Sequence, residues 1–220
     1  MKVYLEVAKQ RAFACAIDWP GWCRAAKTPH EALQALLDYA PRYAAAIGLA
    51  ASTLRYPKTT DGFDIAERLD GNATTDFGAP GVIPAADRHP ASAGQIEELI
   101  ARLEACWQAF DLAAHSARGK NLGPSGPRGG GRALAKMVEH VTGADLGYTN
   151  TVGGKVPGGE GATWAQVQGV MKDAIRARAR GELPDRGPRG GERWPARYAI
   201  RRSAWHALDH AWEIEDRVTG

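Results

Sequence analysis

The sequence predicts an α+β fold in which a small unit of strands and one helix precedes a four-helix bundle. Two observations predict it. Before residue 90, short runs alternate apolar and polar residues around one capped helix, whereas after residue 90 apolar residues recur every three or four positions. A stretch rich in Gly, Pro and Asp lies between the two patterns. We therefore place a domain boundary there and expect units at 1–88 and 89–220.

The composition is that of a folded globular protein. The chain has 220 residues, of which 44% are hydrophobic, enough for one large core or two modest ones. It holds no run of about 18 apolar residues that would span a membrane. Its first residues lack the apolar core of a signal peptide. We expect a cytoplasmic protein without a membrane partner.

Three cysteines, Cys15, Cys23 and Cys106, are widely spread and form no C-x-x-C pair. An odd number without close pairing is typical of reduced thiols rather than of a disulfide scaffold or a zinc finger. We therefore expect three free thiols, with Cys106 filling space on an apolar helix face.

The charge is weakly basic and uneven. The net charge is +3, and residues 176–202 hold nine Arg against three acids. Such a run is either a solvated loop and helix face or a patch for an anionic partner. No DNA- or RNA-binding motif accompanies it, so we do not expect a nucleic-acid partner.

The first unit begins with strands. Residues 3–7 and 13–17 predict a β-hairpin that turns at 9–11. A helix should start after Thr28, because Thr caps it, Pro29 suits the first turn and Glu31 completes a capping box.

This helix should run to about Ile47 and bend or crowd at Pro41, because proline lacks the amide hydrogen that a helix interior uses. Residues 63–69 alternate again and predict another strand. The remainder to Pro90 is rich in turn-forming residues and should be loop.

Four apolar-periodic stretches after residue 90 predict the helices of the bundle. The first spans about 92–118, the second is centred on 134–141, the third on 164–175, and the fourth carries a pair of histidines. A long Gly-rich loop is expected from about 143 to 161, between the second and third helices.

Gly-Pro-Arg-Gly-Gly occurs twice, at 126–130 and 187–191, each time before a histidine-bearing helix. Backbone amides and Arg at such a place can hold an anion. Neither copy fits a phosphate-loop pattern, and we interpret both as flexible linkers.

His206 and His210 stand four residues apart on the fourth helix, so both imidazoles lie on one face, one turn apart. Two imidazoles at this spacing can share one metal ion. His140 lies in the second helix and would complete a three-histidine site with open positions for water or substrate. The alternative is that the pair are polar residues at the edge of an apolar stripe.

Two carboxylates accompany these histidines. Glu139 precedes His140, and Glu213 continues the face of the histidine pair. Either is a candidate for orienting an imidazole or moving a proton at a catalytic centre. The alternative for each is a solvated surface carboxylate.

The N-terminal unit resembles the HicB-type antitoxin domain. The resemblance lies in residues 19–33, Trp-Pro-Gly-Trp-Cys-Arg-Ala-Ala-Lys-Thr-Pro-His-Glu-Ala-Leu, and covers about the first 47 residues. It implies a small ββαβ unit that pairs with a partner protein or serves as an accessory module.

The C-terminal unit resembles the DinB-like (YfiT-like) superfamily over roughly residues 92–217. His140 and the segment 205–217, Trp-His-x-Leu-Asp-His-x-Trp-Glu-x-Glu-Asp-Arg, carry the resemblance. It implies an up-down-down-up four-helix bundle with a divalent metal at His140, His206 and His210. It also implies metal-dependent thiol S-transfer, hydrolysis or isomerisation, with a small-molecule thiol as one substrate class.

Two functional hypotheses follow. In the first, the protein is an enzyme in which the three imidazoles hold Zn, Ni, Fe or Mn and activate a bound water or thiol. In the second, it is a non-catalytic binding or stress-response module, and the N-terminal domain recognises a protein partner or forms a homodimer.

Overall fold

A computed structural model describes residues 1–123 and 131–219. The protein is a mixed α+β fold that divides into two compact units, Met1–His89 and Pro90–Gly220. The sheet lies in the first unit and the long helices in the second. The α+β class expected from the two hydrophobic periodicities is confirmed.

The first unit is built on a four-stranded sheet in the order β3-β2-β1-β4. Strands β1 (Lys2–Val7) and β2 (Ala12–Ala16) form the expected antiparallel hairpin. Strand β3 (Cys23–Ala26) pairs antiparallel with β2, and β4 (Asp64–Asp70) pairs parallel with β1. Every residue of β2 is buried, so this central strand forms the middle of the core.

The expectation of three free thiols is wrong. A disulfide joins Cys15 to Cys23, while Cys106 is a buried free thiol. The two bonded residues stand directly opposite each other in the β2–β3 ladder. The strand β3 was not expected from the sequence, and without it the two cysteines have no reason to meet.

The capped helix starts as predicted but does not run to Ile47 as one helix. Thr28 and Glu31 form both hydrogen bonds of the capping box at the start of α1 (Pro29–Asp38). The chain then breaks at Tyr39, and α2 (Ala40–Ile47) begins with Pro41 in its first turn. The first turn of a helix tolerates proline and the interior does not, so the break falls just before Pro41.

Residues 71–90 are not loop throughout. They contain two short helices, α3 (Ala73–Phe77) and α4 (Ala85–Arg88). The fully buried carboxylate of Glu6 accepts hydrogen bonds from the Thr75 hydroxyl and from the amides of Gly81 and Val82. This contact ties the segment to β1, which periodicity does not reveal.

Four long helices form the second unit: α5 (Ala93–Ser116), α6 (Leu134–Val152), α7 (Trp164–Ala179) and α8 (Ala196–Arg217). Helix α5 packs on α8, and α6 packs on both α7 and α8. Directly after α8, strand β6 (Val218–Thr219) pairs antiparallel with β5 (Asn121–Leu122). Among the described helices, none is both long enough and apolar enough to cross a membrane.

The segment 143–161 was expected to be a loop, but its first half is helical. Helix α6 continues through Gly143 and Gly147, which are exposed, and ends where Gly153 takes a positive φ of 117°. An exposed helical glycine costs about 1 kcal/mol relative to alanine, which the packing of the opposite face offsets.

Only one of the two Gly-Pro-Arg-Gly-Gly segments lies within the described residues. The first, at 126–130, lies outside the described residues. The second is a hairpin turn in which the Gly187 amide donates to the Gly191 carbonyl, between the bridged residues Arg186 and Glu192.

Candidate metal centre

The histidine pair lies on α8, a helix that is buried on almost every side. His206 is 6% exposed and His210 is 2% exposed, so both rings are inside the helical unit. Helix α6 packs beside α8 and brings His140, a half-buried residue, to the same place. The three histidines thus meet at the α6–α8 seam, with His140 on the side towards solvent.

The ring nitrogens converge. One nitrogen from each of His140, His206 and His210 lies within 4.8 Å of the others. The Nε2 atoms of His140 and His206 are 3.1 Å apart. Two nitrogens bound to one ion at about 2.1 Å lie roughly 3.0–3.4 Å apart for angles between about 90° and 109°. The His140–His206 separation therefore fits two ligands of one divalent ion, and the His210 nitrogen lies within 4.8 Å of both.

Glu213 fixes the orientation of His210. The Nδ1 atom of His210 lies 2.9 Å from Oε2 of Glu213, so Nδ1 carries the proton that this carboxylate accepts. The other ring nitrogen, Nε2, is then the one with a lone pair for a metal. A carboxylate behind a ligating imidazole also raises the basicity of that ligand.

Arg217 in turn holds Glu213. Its guanidinium donates to Oε1 of Glu213 at 3.0 Å and to the backbone carbonyls of Gly123 and Arg132, both at 3.0 Å. Burial opposes ionisation of Glu213. Hydrogen bonds from His210 and Arg217, together with the positive charge of Arg217, outweigh it and hold the pKa of Glu213 below its usual value.

The second predicted carboxylate lies elsewhere. Glu139 is exposed, and its carboxylate accepts a hydrogen bond from Lys136 at 2.7 Å on the surface of α6. It is not among the residues whose ligand atoms converge with the histidines. Adjacent helical residues point about 100° apart, so a neighbour of His140 in sequence is turned away from the seam.

A further polar network was missed in the sequence. Asp145 on α6 is 1% exposed and accepts hydrogen bonds from Ser203 Oγ at 2.7 Å and from Trp164 Nε1 at 3.3 Å. Trp107 Nε1 donates to Ser203 Oγ at 2.9 Å. We call these four residues the Asp145 network; each comes from a different one of the four long helices.

Burial raises the pKa of Asp145 to about 6, and the hydrogen bonds from Ser203 and the two tryptophans only partly offset that rise. One sequence signal was available. Asp145 lies four residues after Val141 and four before Thr149 on the buried face of α6, where a lone carboxylate is unusual.

The chain matches no family model, no curated protein and no solved structure.

Proposed function

We propose that the protein binds one divalent metal ion through His140, His206 and His210 and uses it in thiol-transfer or hydrolytic chemistry. The convergence of three ring nitrogens within 4.8 Å carries this proposal. Neutral imidazole is a preferred ligand of Zn, Ni, Fe and Mn, and three such ligands leave coordination positions for a small molecule.

When bound at such a site, a divalent ion lowers the pKa of a coordinated water or thiol, so that a nucleophile exists near neutral pH. The protein's own residues have defined tasks. Glu213 holds the Nδ1 proton of His210 and keeps that ring in one tautomer. The positive charge of Arg217 compensates the negative charge of Glu213, so this buried carboxylate stays ionised. His140 is only half-buried, which supports access of a small molecule to the cluster from its side.

Membership of the DinB-like superfamily belongs to the same proposal. An up-down-down-up bundle needs α6 and α7 parallel, and the connection 153–163 is long enough for that. Trp164 at the start of α7 donates to Asp145 in the middle of α6, and Gly154, just after α6, lies against Ala174 far along α7. Contacts in this order support parallel helices. The packing of α5 on α8 and of α6 on both α7 and α8 also supports this arrangement.

A non-catalytic role with a HicB-like recognition domain is the second candidate. Its support is β4, an edge strand of the sheet whose residues alternate between exposed and half-buried. Unpaired backbone groups at a sheet edge are a template for a strand from another chain. In this role the histidine cluster would only stabilise the helical unit.

The test compares metal-loaded and EDTA-treated protein. We expect about one Zn, Ni, Fe or Mn per chain by elemental analysis and thiol transfer or ester hydrolysis in the loaded form alone. Protein that binds no divalent ion contradicts the metal site. Protein that binds the ion but shows no activity above the EDTA-treated form favours the non-catalytic role.

A further inference from the structure

Strand β4 forms one edge of the four-stranded sheet and pairs with β1 alone. Its second half, 67–70, pairs residue by residue with β1, but the step from Val3 to Tyr4 lies opposite an extra residue, Ala66. This β-bulge shifts the register, so the side chains before and after it do not form one alternating series. The segment after the bulge is therefore the regular part of the edge.

Arg68 and Asp70 direct their backbone groups to the open side of this edge. The amide of Gly71 donates to the carbonyl of Val7 on β1 at 2.7 Å, so the backbone of Gly71 faces β1. Successive residues of a strand direct their backbone groups to opposite sides, so Leu69 also faces β1, whereas Arg68 and Asp70 face away from it. Within the part of the chain that the structure describes, neither of these two residues has a hydrogen bond or ion pair outside the sheet.

The side chains at these two outward positions have opposite charge. Arg68 and Asp70 are both exposed, and they lie on the same face of the sheet because they are two residues apart after the bulge. Leu69 is half-buried and lies on the other face. Opposite charges that face each other across two strands stabilise the pair, whereas like charges destabilise it. The charges therefore restrict which strand can pair with this edge, and in which register.

A second copy of the same chain supplies a strand that fits. Two β4 strands related by a two-fold axis run antiparallel, and the residue on the axis sets their register. An axis at Arg68 or at Asp70 would place that residue opposite its own copy, with like charges in contact. An axis at Leu69 instead places Arg68 opposite Asp70 of the second copy, on both sides of the axis. The outward backbone groups of these residues can then exchange both hydrogen bonds of an antiparallel pair.

We propose that the protein forms a two-fold dimer in which β4 pairs antiparallel with β4 of a second copy, with Leu69 at the axis. The alternation of Arg and Asp disfavours the neighbouring registers, so it gives specificity as well as attraction. One short strand buries less than the roughly 1,200–2,000 Å² of a standard interface, so the dimer should dissociate on dilution. The inference does not depend on the histidine cluster.

The experiment measures the mass of the full-length protein by sedimentation equilibrium in EDTA, so that no metal ion joins two chains. We expect the 23.6 kDa mass of one chain in dilute protein, rising towards twice that value between about 10 µM and about 1 mM. Hydrogen exchange at the same concentrations locates the interface. The amides of Arg68 and Asp70 should become protected as the dimer forms, because self-pairing gives each a carbonyl acceptor.

Arg68→Asp and Asp70→Arg should each weaken the dimer by about tenfold or more, because each brings like charges together on both sides of the axis. Combined in one chain, the two substitutions exchange the charges and should restore association to within about threefold of wild type. Asp64→Arg is the matched control. It makes the same change of charge on the same strand, but before the bulge, and should leave the dimer intact.

Three results overturn the inference. The first is a chain that stays monomeric at about 1 mM, which would leave the edge to a strand of a different protein. The second is a dimer that both single substitutions leave intact, or whose protected amides lie elsewhere. The third is a double variant that folds, as its thermal midpoint shows, but does not regain the association that the single variants lost. None of these results bears on the metal site, which metal content tests.

Discussion

The histidine cluster and the Asp145 network join the same two helices, α6 and α8, but their polar atoms are arranged in opposite ways. In the cluster, nitrogens of His140, His206 and His210 converge on one point. In the network, donors from Ser203 and Trp164 surround a single carboxylate. Ring nitrogens that converge can share a cation through their lone pairs, whereas a carboxylate with its own donors needs no ligand.

The histidine cluster and the Asp145 network also differ in burial. His140 is half-buried, so the cluster lies at an edge of the helical unit, whereas Asp145 is 1% exposed and receives side chains from the other helices. Buried polar residues are thus of two kinds in this protein. Under the proposed function the cluster binds an ion, whereas the Asp145 network joins the four long helices to one another. The following variants test that distinction.

The largest effect should come from the double variant His206→Ala/His210→Ala. It leaves one histidine, which lacks the chelate strength to retain an ion. Elemental analysis should find metal content falling from about one ion per chain to about one-tenth or less. His210→Ala alone should also lower it. Unchanged content in the double variant would contradict the metal site.

The Asp145 network should show itself in stability against pH rather than in metal content. The pKa of Asp145 is about 6 in the folded protein, above the roughly 3.9 of an unfolded chain. The folded state therefore holds the proton more tightly, and this group's contribution to stability is lost as pH rises from about 4 to 6. The loss is about 2–3 kcal/mol.

Asp145→Asn has no such titration. In EDTA, its free energy of unfolding relative to wild type should therefore improve by about 2–3 kcal/mol between pH 4 and pH 7. Chemical denaturation across that range measures the difference. A constant difference across the range would show that Asp145 does not titrate with a raised pKa. Metal content at pH 7 should equal that of wild type, which separates this network from the cluster.

Glu213→Gln should weaken metal binding by about 10–100-fold, because carboxylates behind ligating imidazoles contribute that much. Glutamine keeps the size of the side chain but removes the charge that His210 and Arg217 both contact. Competition with a chromophoric chelator measures the change. An affinity equal to that of wild type would show that Glu213 does not contribute to metal binding.

The smallest effect is expected from Glu139→Gln, which is the matched control for Glu213→Gln. Glu139 is exposed and contacts Lys136 at the surface. Such a pair contributes about 0.5 kcal/mol or less to stability. The same chelator competition should give wild-type affinity. A loss as large as that of Glu213→Gln would place Glu139 at the cluster after all.

Local signals predicted local structure well. The capping box of Thr28 and Glu31 appears with both hydrogen bonds, and the helical period located α5 with its cap at Ser92. These signals act between residues three or four apart, so the sequence contains them completely. Predictions that depended on contacts between different secondary-structure elements were less accurate. The disulfide of Cys15 and Cys23 needs a strand that periodicity did not reveal.

The sequence by itself determined the α+β class, the starts of α1 and α5 and the placement of His206 and His210 on one helical face. Only the tertiary structure decided that His140, 66 residues before His206, reaches the same point. It also decided that Glu213 contacts the cluster while Glu139 faces solvent, and that Asp145 lies inside. The physical reason is the distance along the chain over which each interaction acts. Helix geometry relates residues one turn apart, but the facing of two helices depends on how all their side chains pack together.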